Sequence, residues 1–353
     1  MAKVLMKGNE AIAEAAIQAG CRCFFGYPIT PQNQIPEYMS KRMPEVGGAF
    51  VQAESEVSAI NMVYGAAGSG ARVMTSSSSP GISLKQEGIS YIACAELPCV
   101  IVNMVRSGPG LGGIQPSQGD YFQATRGGGH GDYRVLTLAP SSVQEAVDLV
   151  MLGFDLADKY RNPVMIMGDG MIGQMMEPAE FGEYKGMDLP AKDWAATGWD
   201  GRSRERAIIN SLYIEAEVMS EVNKRLEAKY EEITKNETRV DEYMCDDADY
   251  IIAAFGTTAR IAKSTAQMAR AEGIKVGVIR PITIWPFPTE SFKKAAERVK
   301  GILTVEMNLG QMVEDVRLAV EGKVPTPFYG TQGGIIPDQR DILAEIKKMK
   351  EVL

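Results

Sequence analysis

Residues Cys23-Phe24-Phe25-Gly26-Tyr27-Pro28-Ile29-Thr30-Pro31 decide the fold. An apolar run breaks here into a rigid, proline-bounded loop that carries the Thr30 hydroxyl. Some two dozen residues later a second apolar segment, Ala49–Gln52, delivers Glu54-Ser55-Glu56 to the mouth of a Gly/Ala-rich helix. A hydroxyl and a carboxylate at successive strand-to-helix junctions is how α/β proteins build a small-molecule site.

Outward from this pair, the first 170 residues read as repeated βα units. Asn9 is expected to cap a helix that Gly20 ends. Strands are predicted over Cys21–Phe25, Ala49–Gln52, Arg72–Thr75, Cys99–Val105, Arg134–Leu138 and Val164–Met167. Between them fall helices near Gln34–Met43, Glu54–Ala67, Leu84–Ala95 and Ser141–Tyr160. Such alternation means a mostly parallel, doubly wound sheet. The segment from Glu177 to Arg202 reads as an irregular connector. One long helix is expected from about Ser203 to Lys235, with an apolar stripe at Leu212, Met219, Leu226 and Ile233. That stripe packs on the chain's own domains or meets another subunit. A second, smaller βα domain starts at Tyr250 and includes a Pro-rich turn from Arg280 to Pro288.

The chain has 353 residues and 45% hydrophobic content, enough for two domains. Its net charge of −8 and lack of basic runs argue against a nucleic-acid surface. Apolar runs are strand-length, too short for a membrane span, and the N-terminus has no signal-peptide core, so a cytoplasmic location is expected. The five cysteines form no C-x-x-C pair, so no iron–sulfur cluster is expected on this chain. The single histidine, His130, excludes His-rich zinc sites.

Five residues could carry chemistry. Thr30, held between Ile29 and Pro31, presents a fixed hydroxyl or forms an ordinary turn. Glu54 and Glu56 either complement a helix dipole or perform acid/base work. Arg106 ends a strand above Ser107-Gly108-Pro109-Gly110, where it could grip a carboxylate bidentately or form an internal ion pair. His130 lies among four glycines, which suggests close approach to a ligand or a simple loop hydrogen bond. Gly168-Asp169-Gly170 imitates the start of a magnesium-diphosphate motif. The asparagine this motif needs about thirty residues on is missing, since Ala195–Glu205 contains none. Gly65-x-x-Gly68-x-Gly70 ends a helix and precedes a strand, the reverse of a dinucleotide fingerprint.

Together these pieces resemble the α subunit of 2-oxoacid:ferredoxin oxidoreductases, most closely the branched-chain (2-oxoisovalerate) type. The matching stretches are Gly26–Pro31, Glu54–Gly65, Thr75–Gly81, Arg106, Gln118-x-Asp120 to Asp132, and Gly168-Asp169-Gly170. Gly256-Thr257-Thr258, Arg280-Pro281 and Glu306-x-Asn308-x-Gly310-Gln311 complete the set. The resemblance implies a pyrimidine-type domain over residues 1–190, a connector and long helix over 191–245, and a transketolase C-terminal-like domain over 246–353. It implies thiamine diphosphate shared with a β subunit that binds the Mg²⁺-diphosphate end, so this chain would hold no metal. Iron–sulfur clusters would sit on γ or other partner subunits, ferredoxin would accept electrons, and coenzyme A would be co-substrate. Glu56 would hydrogen-bond N1′ of the aminopyrimidine, with Tyr27, Pro28 and Ser79 beside the cofactor. Thr30 and Arg106, with Ile29, Pro31 and His130, would hold the substrate. A 2-oxoglutarate-specific relative, in which Arg126 pairs with a distal carboxylate, and a non-catalytic partner subunit are the alternatives.

Overall fold

The computed structural model describes residues 3–199, 201 and 205–352. The chain begins β1 (Val4–Lys7), α1 (Gly8–Gln18), β2 (Cys23–Gly26), α2 (Gln34–Glu45), β3 (Ala49–Gln52) and α3 (Glu56–Gly68). Next come β4 (Val73–Ser77), α4 (Ser79–Cys94), β5 (Cys99–Val105), α5 (Tyr121–Thr125) and β6 (Leu136–Leu138). Then follow α6 (Val143–Tyr160), β7 (Pro163–Asp169), α7 (Gly170–Gln174), β8 (Met176–Ala179) and the long α8 (Ala216–Glu237). The second half holds β9 (Val240–Tyr243), β10 (Tyr250–Ala253), α9 (Gly256–Ala271), β11 (Val276–Pro281) and β12 (Thr283–Trp285). It closes with α10 (Thr289–Ala296), β13 (Gly301–Glu306), α11 (Met312–Val320), β14 (Phe328–Gly330) and α12 (Gln339–Val352).

The larger sheet has the order β12-β6-β7-β5-β4-β2-β3, with β12 alone antiparallel to its neighbour. Strands β4, β5 and β7 are buried along their whole length because helices cover both faces. Helices α1, α2 and α6 build the core on one side. Helices α3 and α4 build it on the other, where it runs on into the second domain. The chain steps outward from β2 to β3 and then returns to β4 on the far side of β2. That reversal opens a crevice at the carboxyl ends of β2 and β4, the place where doubly wound sheets bind ligands. The second sheet, β14-β13-β10-β11-β9, is parallel except for β9.

Several sequence expectations need correction. Asn9 does not cap α1; it lies within the helix, fully buried, because its amide donates to Pro31 O and Gln34 Oε1. A short strand, β1, precedes the first helix and pairs with β8, which trims the connector. Helix α4 starts at Ser79 rather than Leu84, since Pro80 fits the first turn of a helix. The Pro-rich turn contains β12, which leaves its own domain to join the edge of the first sheet. The long helix starts at Ala216; Ser203 lies outside the described residues, and Leu212 sits before the helix, 70% exposed. Its stripe is buried only from Val222 through Leu226 to Ile233. No helix among the described residues is long and apolar enough to cross a membrane.

Candidate active site

The loop after β2 is held from several directions. Gln32, fully buried, donates to Tyr27 O and accepts from the Ser76 hydroxyl at 2.5 Å, tying the loop to β4. Pro31 O accepts from Asn9 at 2.8 Å and from Gln174 at 2.9 Å, and the Thr30–Pro31 peptide is cis. Tyr27 and Pro28 stand exposed at the mouth, with Ile29 and Thr30 half-buried behind them. The Thr30 hydroxyl accepts one long bond, 3.4 Å, from Asn33.

Arg106 follows β5 and reaches across to this loop. Its guanidinium donates to Thr30 O at 3.1 Å and to Leu111 O at 2.9 Å, while Nε is buried without a partner. The residue is 7% exposed, yet among the described residues no carboxylate lies within ion-pair reach. An internal ion pair is therefore not its role. A buried guanidinium without an anion is unfavourable by several kcal/mol, and an anionic group reaching this crevice would offset that cost.

Glu56 opens α3 and is 6% exposed, and its carboxylate accepts no hydrogen bond from the described residues. Ser55 caps the helix instead, accepting from Ser58 N, whereas Glu54 points to solvent and bonds Ser58. The Glu56 carboxylate lies against the start of α4, where a β-carbon at Gly81 would come within 2.7 Å of Oε1. Glycine at 81 is thus the cradle for this group. The Ser77 and Ser78 hydroxyls beside it are buried and unpartnered. Ser79 is differently employed: its hydroxyl lies 3.0 Å from the Arg106 nitrogen and 3.2 Å from the Arg106 carbonyl, fixing the start of α4 to the end of β5.

The structure brings Thr30, Arg106, Glu56 and Ser79 to one crevice, but His130 lies elsewhere. It is exposed, its ring edge-on to Tyr91 at 6.1 Å. It borders a cleft of about 280 Å³ with Cys94, Leu212 and Leu226, which neither Thr30 nor Arg106 lines. The glycines before it serve packing, because a β-carbon at Gly128 would strike Gln86 of α4 at 2.6 Å. A cavity of about 990 Å³ runs along α8 and Trp285 and holds none of these residues. Arg126 pairs with Asp315 at 3.2 Å and Glu314 at 3.6 Å, so its charge is already matched. Asp169 of the Gly168-Asp169-Gly170 stretch is a helix cap, accepting from Met171 N and Ile172 N.

Three residues that sequence reasoning passed over matter here: Ser77, Ser78 and Lys85. The first two belong to a serine run closing an otherwise apolar strand. Lys85 shares a helical face with Ile82, Ile89 and Ile92, and a lysine on such a face was the available signal.

Comparison with known proteins identifies the family. Residues 14–243 match the family described as pyruvate flavodoxin/ferredoxin oxidoreductase, thiamine diphosphate-binding, and residues 248–342 match pyruvate:ferredoxin oxidoreductase core domain II. The chain belongs to this family. It is 49% identical over 349 residues to the ketoisovalerate oxidoreductase subunit VorB of Methanothermobacter thermautotrophicus, covering 99% of this chain and 98% of that one. With the 2-oxoglutarate synthase subunit KorA of the same organism it shares 38% over 371 residues, 98% of each chain. In structure it superposes at TM-score 0.88 and 26% identity on the 2-oxoglutarate:ferredoxin oxidoreductase of Magnetococcus marinus with 2-oxoglutarate, coenzyme A and succinyl-CoA bound. That match covers 98% of this chain and 65% of the other. The chain is accordingly a 2-oxoacid:ferredoxin oxidoreductase subunit carrying the family's thiamine diphosphate-binding domain, followed by a transketolase-like α/β domain.

Proposed function

We propose that this subunit acts in the CoA-dependent oxidative decarboxylation of 2-oxoisovalerate (3-methyl-2-oxobutanoate) and that Glu56, Thr30 and Arg106 are its contribution to the reaction. One 2-oxoisovalerate and one coenzyme A give isobutyryl-CoA and CO₂, releasing one proton and two electrons, which ferredoxin accepts through iron–sulfur centres on partner subunits. The observation that carries the reading is the buried Arg106 guanidinium, which has no carboxylate partner among the described residues and lies bonded to the Thr30 loop.

The residues fit an aminopyrimidine. The Glu56 carboxylate is buried and accepts no hydrogen bond from the described residues, and Gly81 leaves it room. When bound, thiamine diphosphate supplies the carbon nucleophile for the 2-oxo group and the sink for the electrons of decarboxylation. Glu56 would hydrogen-bond N1′ of the aminopyrimidine and hold the proton there. Arg106 directs its remaining N–H groups at the substrate carboxylate, and the Thr30 hydroxyl is placed beside it. Tyr27, Pro28, Ile29 and Pro31 wall the mouth against water. The diphosphate end and its Mg²⁺ belong to a β subunit, in keeping with the absent asparagine.

The identity to the ketoisovalerate enzyme supports the branched substrate, and so does Arg126. Arg126, which the 2-oxoglutarate reading would pair with a distal carboxylate, already pairs with Asp315 and Glu314. The test is anaerobic purification of the tagged chain with its partners, then CoA-dependent viologen reduction with 2-oxoisovalerate, 2-oxoglutarate and pyruvate in parallel. Preference for 2-oxoisovalerate is expected; preference for 2-oxoglutarate would overturn the substrate assignment.

A further inference from the structure

Strand β5 is apolar but for Asn103, which is wholly buried. Both ends of its amide are engaged. Oδ1 accepts from Ser79 N at 3.2 Å, and Nδ2 donates to the Asp120 carboxylate at 2.9 Å. A peptide N–H only donates and a carboxylate accepts, so a single orientation of the amide satisfies both neighbours.

Asp120 is the less expected partner. It directly precedes α5, where an aspartate ordinarily caps the helix with its side chain. Here the side chain makes no cap bond and turns to Asn103 instead. The backbone around it is held from the second domain, because Gln311 donates to Gly119 O at 2.8 Å and accepts from Phe122 N at 2.8 Å.

The other end of this line is the proposed substrate anchor. Ser79, held through its N–H by Asn103, accepts from Arg106 N at 3.0 Å and donates to Arg106 O at 3.2 Å. Both backbone polar groups of Arg106 therefore bear on one hydroxyl. The guanidinium leaves that fixed point for Thr30 O and Leu111 O. Asn103, Ser79 and Arg106 are all buried, so a bond lost along the line leaves a buried polar group unsatisfied.

We propose that Asp120 and Asn103 are positioning residues for Arg106. Asp120 locks the Asn103 amide, Asn103 fixes Ser79, and Ser79 sets the backbone from which the guanidinium reaches the substrate carboxylate. The proposal rests on Arg106 holding that carboxylate. It makes Asp120 a hydrogen-bond acceptor that touches no substrate and does not act through its charge. Without Asp120 the amide is free to turn and present Nδ2 to Ser79 N. Two donors would then face each other where β5 now holds α4.

The test uses the assembled complex and CoA-dependent viologen reduction with Asp120→Ala, Asp120→Asn and Ser79→Ala. In Asp120→Ala the KM for the 2-oxoacid should rise about three- to tenfold, the worth of one hydrogen bond, while the KM for coenzyme A holds. A merely structural residue would lower Tm and the active fraction without moving one KM and sparing the other. Asp120→Asn keeps a side-chain oxygen for Asn103 and should bring KM back to within about twofold of the original. Equal damage from Asp120→Ala and Asp120→Asn overturns the proposal. Ser79→Ala should raise the same KM, and added to Asp120→Ala it should contribute less than about twofold more, since both cut one line. Effects that multiply in full in the double variant overturn it. Should Asp120→Ala not assemble, Ser79→Ala decides alone, and an unchanged KM for the 2-oxoacid is the overturning result. Arg106→Ala separates this proposal from the reading beneath it. A raised KM there beside an unmoved one in Asp120→Ala sinks the positioning role only. An unmoved KM in Arg106→Ala sinks the carboxylate anchor and the positioning role with it.

Discussion

Two parts of this molecule carry motifs of the same family and treat their polar groups in opposite ways. At the crevice between β2 and β4, Arg106 Nε, Ser77 Oγ and Ser78 Oγ are buried without partners, and Glu56 is unpaired. Across the domain joint, Glu306 is buried yet accepts from Met312 N at 2.9 Å, Val313 N at 3.0 Å and Asn308 Nδ2 at 2.8 Å. Asn308 reaches Gln118 O, and Gln118 in turn bonds Phe255 O and Met307 N. Arg280 makes a two-pronged pair with Glu145 at 2.8 and 2.9 Å and reaches Asp241 at 3.1 Å. The satisfied groups here fasten one domain to the other, and on the proposed reading the unsatisfied ones at the crevice are left for a ligand.

The largest effect that could break this contrast is Glu56→Gln. Turnover should fall by roughly 10³-fold with assembly intact, measured by viologen reduction beside size-exclusion chromatography. Near-normal turnover would move Glu56 to the structural side. Arg106→Ala should raise KM for the 2-oxoacid by roughly 10- to 100-fold, the worth of a lost charged hydrogen bond. If Tm drops while KM holds, the Thr30 and Leu111 carbonyls were its real partners. Glu306→Gln tests the other side: about 1–3 kcal/mol of stability should go, seen as a lower Tm, with KM unchanged in the folded fraction. The smallest effect belongs to Arg126→Ala, which should leave the ratio of 2-oxoisovalerate to 2-oxoglutarate activity within about twofold, as exposed ion pairs contribute little.

The βα grammar was legible because apolar runs and Gly/Pro breaks are local signals. The positions of Thr30 after β2, Glu56 at the start of α3 and Arg106 after β5 follow from the same signals. His130 misled, because glycines that let a loop lie on Gln86 look the same in sequence as glycines that admit a ligand. The start of α8 was read too early because Leu212 continues a seven-residue period that the backbone does not follow. Strand β12 was invisible: three residues beside prolines carry no period, and their partner in β6 lies far away in sequence. Lys85 was overlooked for a different reason. Charge in a helix reads as surface, and only its register against Ile82 and Ile89 betrays burial.

Strand β12 has a practical consequence. Thr283–Trp285 crosses from the second half of the chain to cover the free edge of β6, through Thr283 opposite Leu138 and Trp285 opposite Thr137. A fragment ending near residue 245 would keep every residue of the crevice and still bare a row of unpaired amides and carbonyls along β6. Open edges of that kind recruit other chains. Dissecting this subunit at its apparent seam would therefore produce a sticky half, and the two segments that match separate family descriptions are joined more deeply than their sequence order implies.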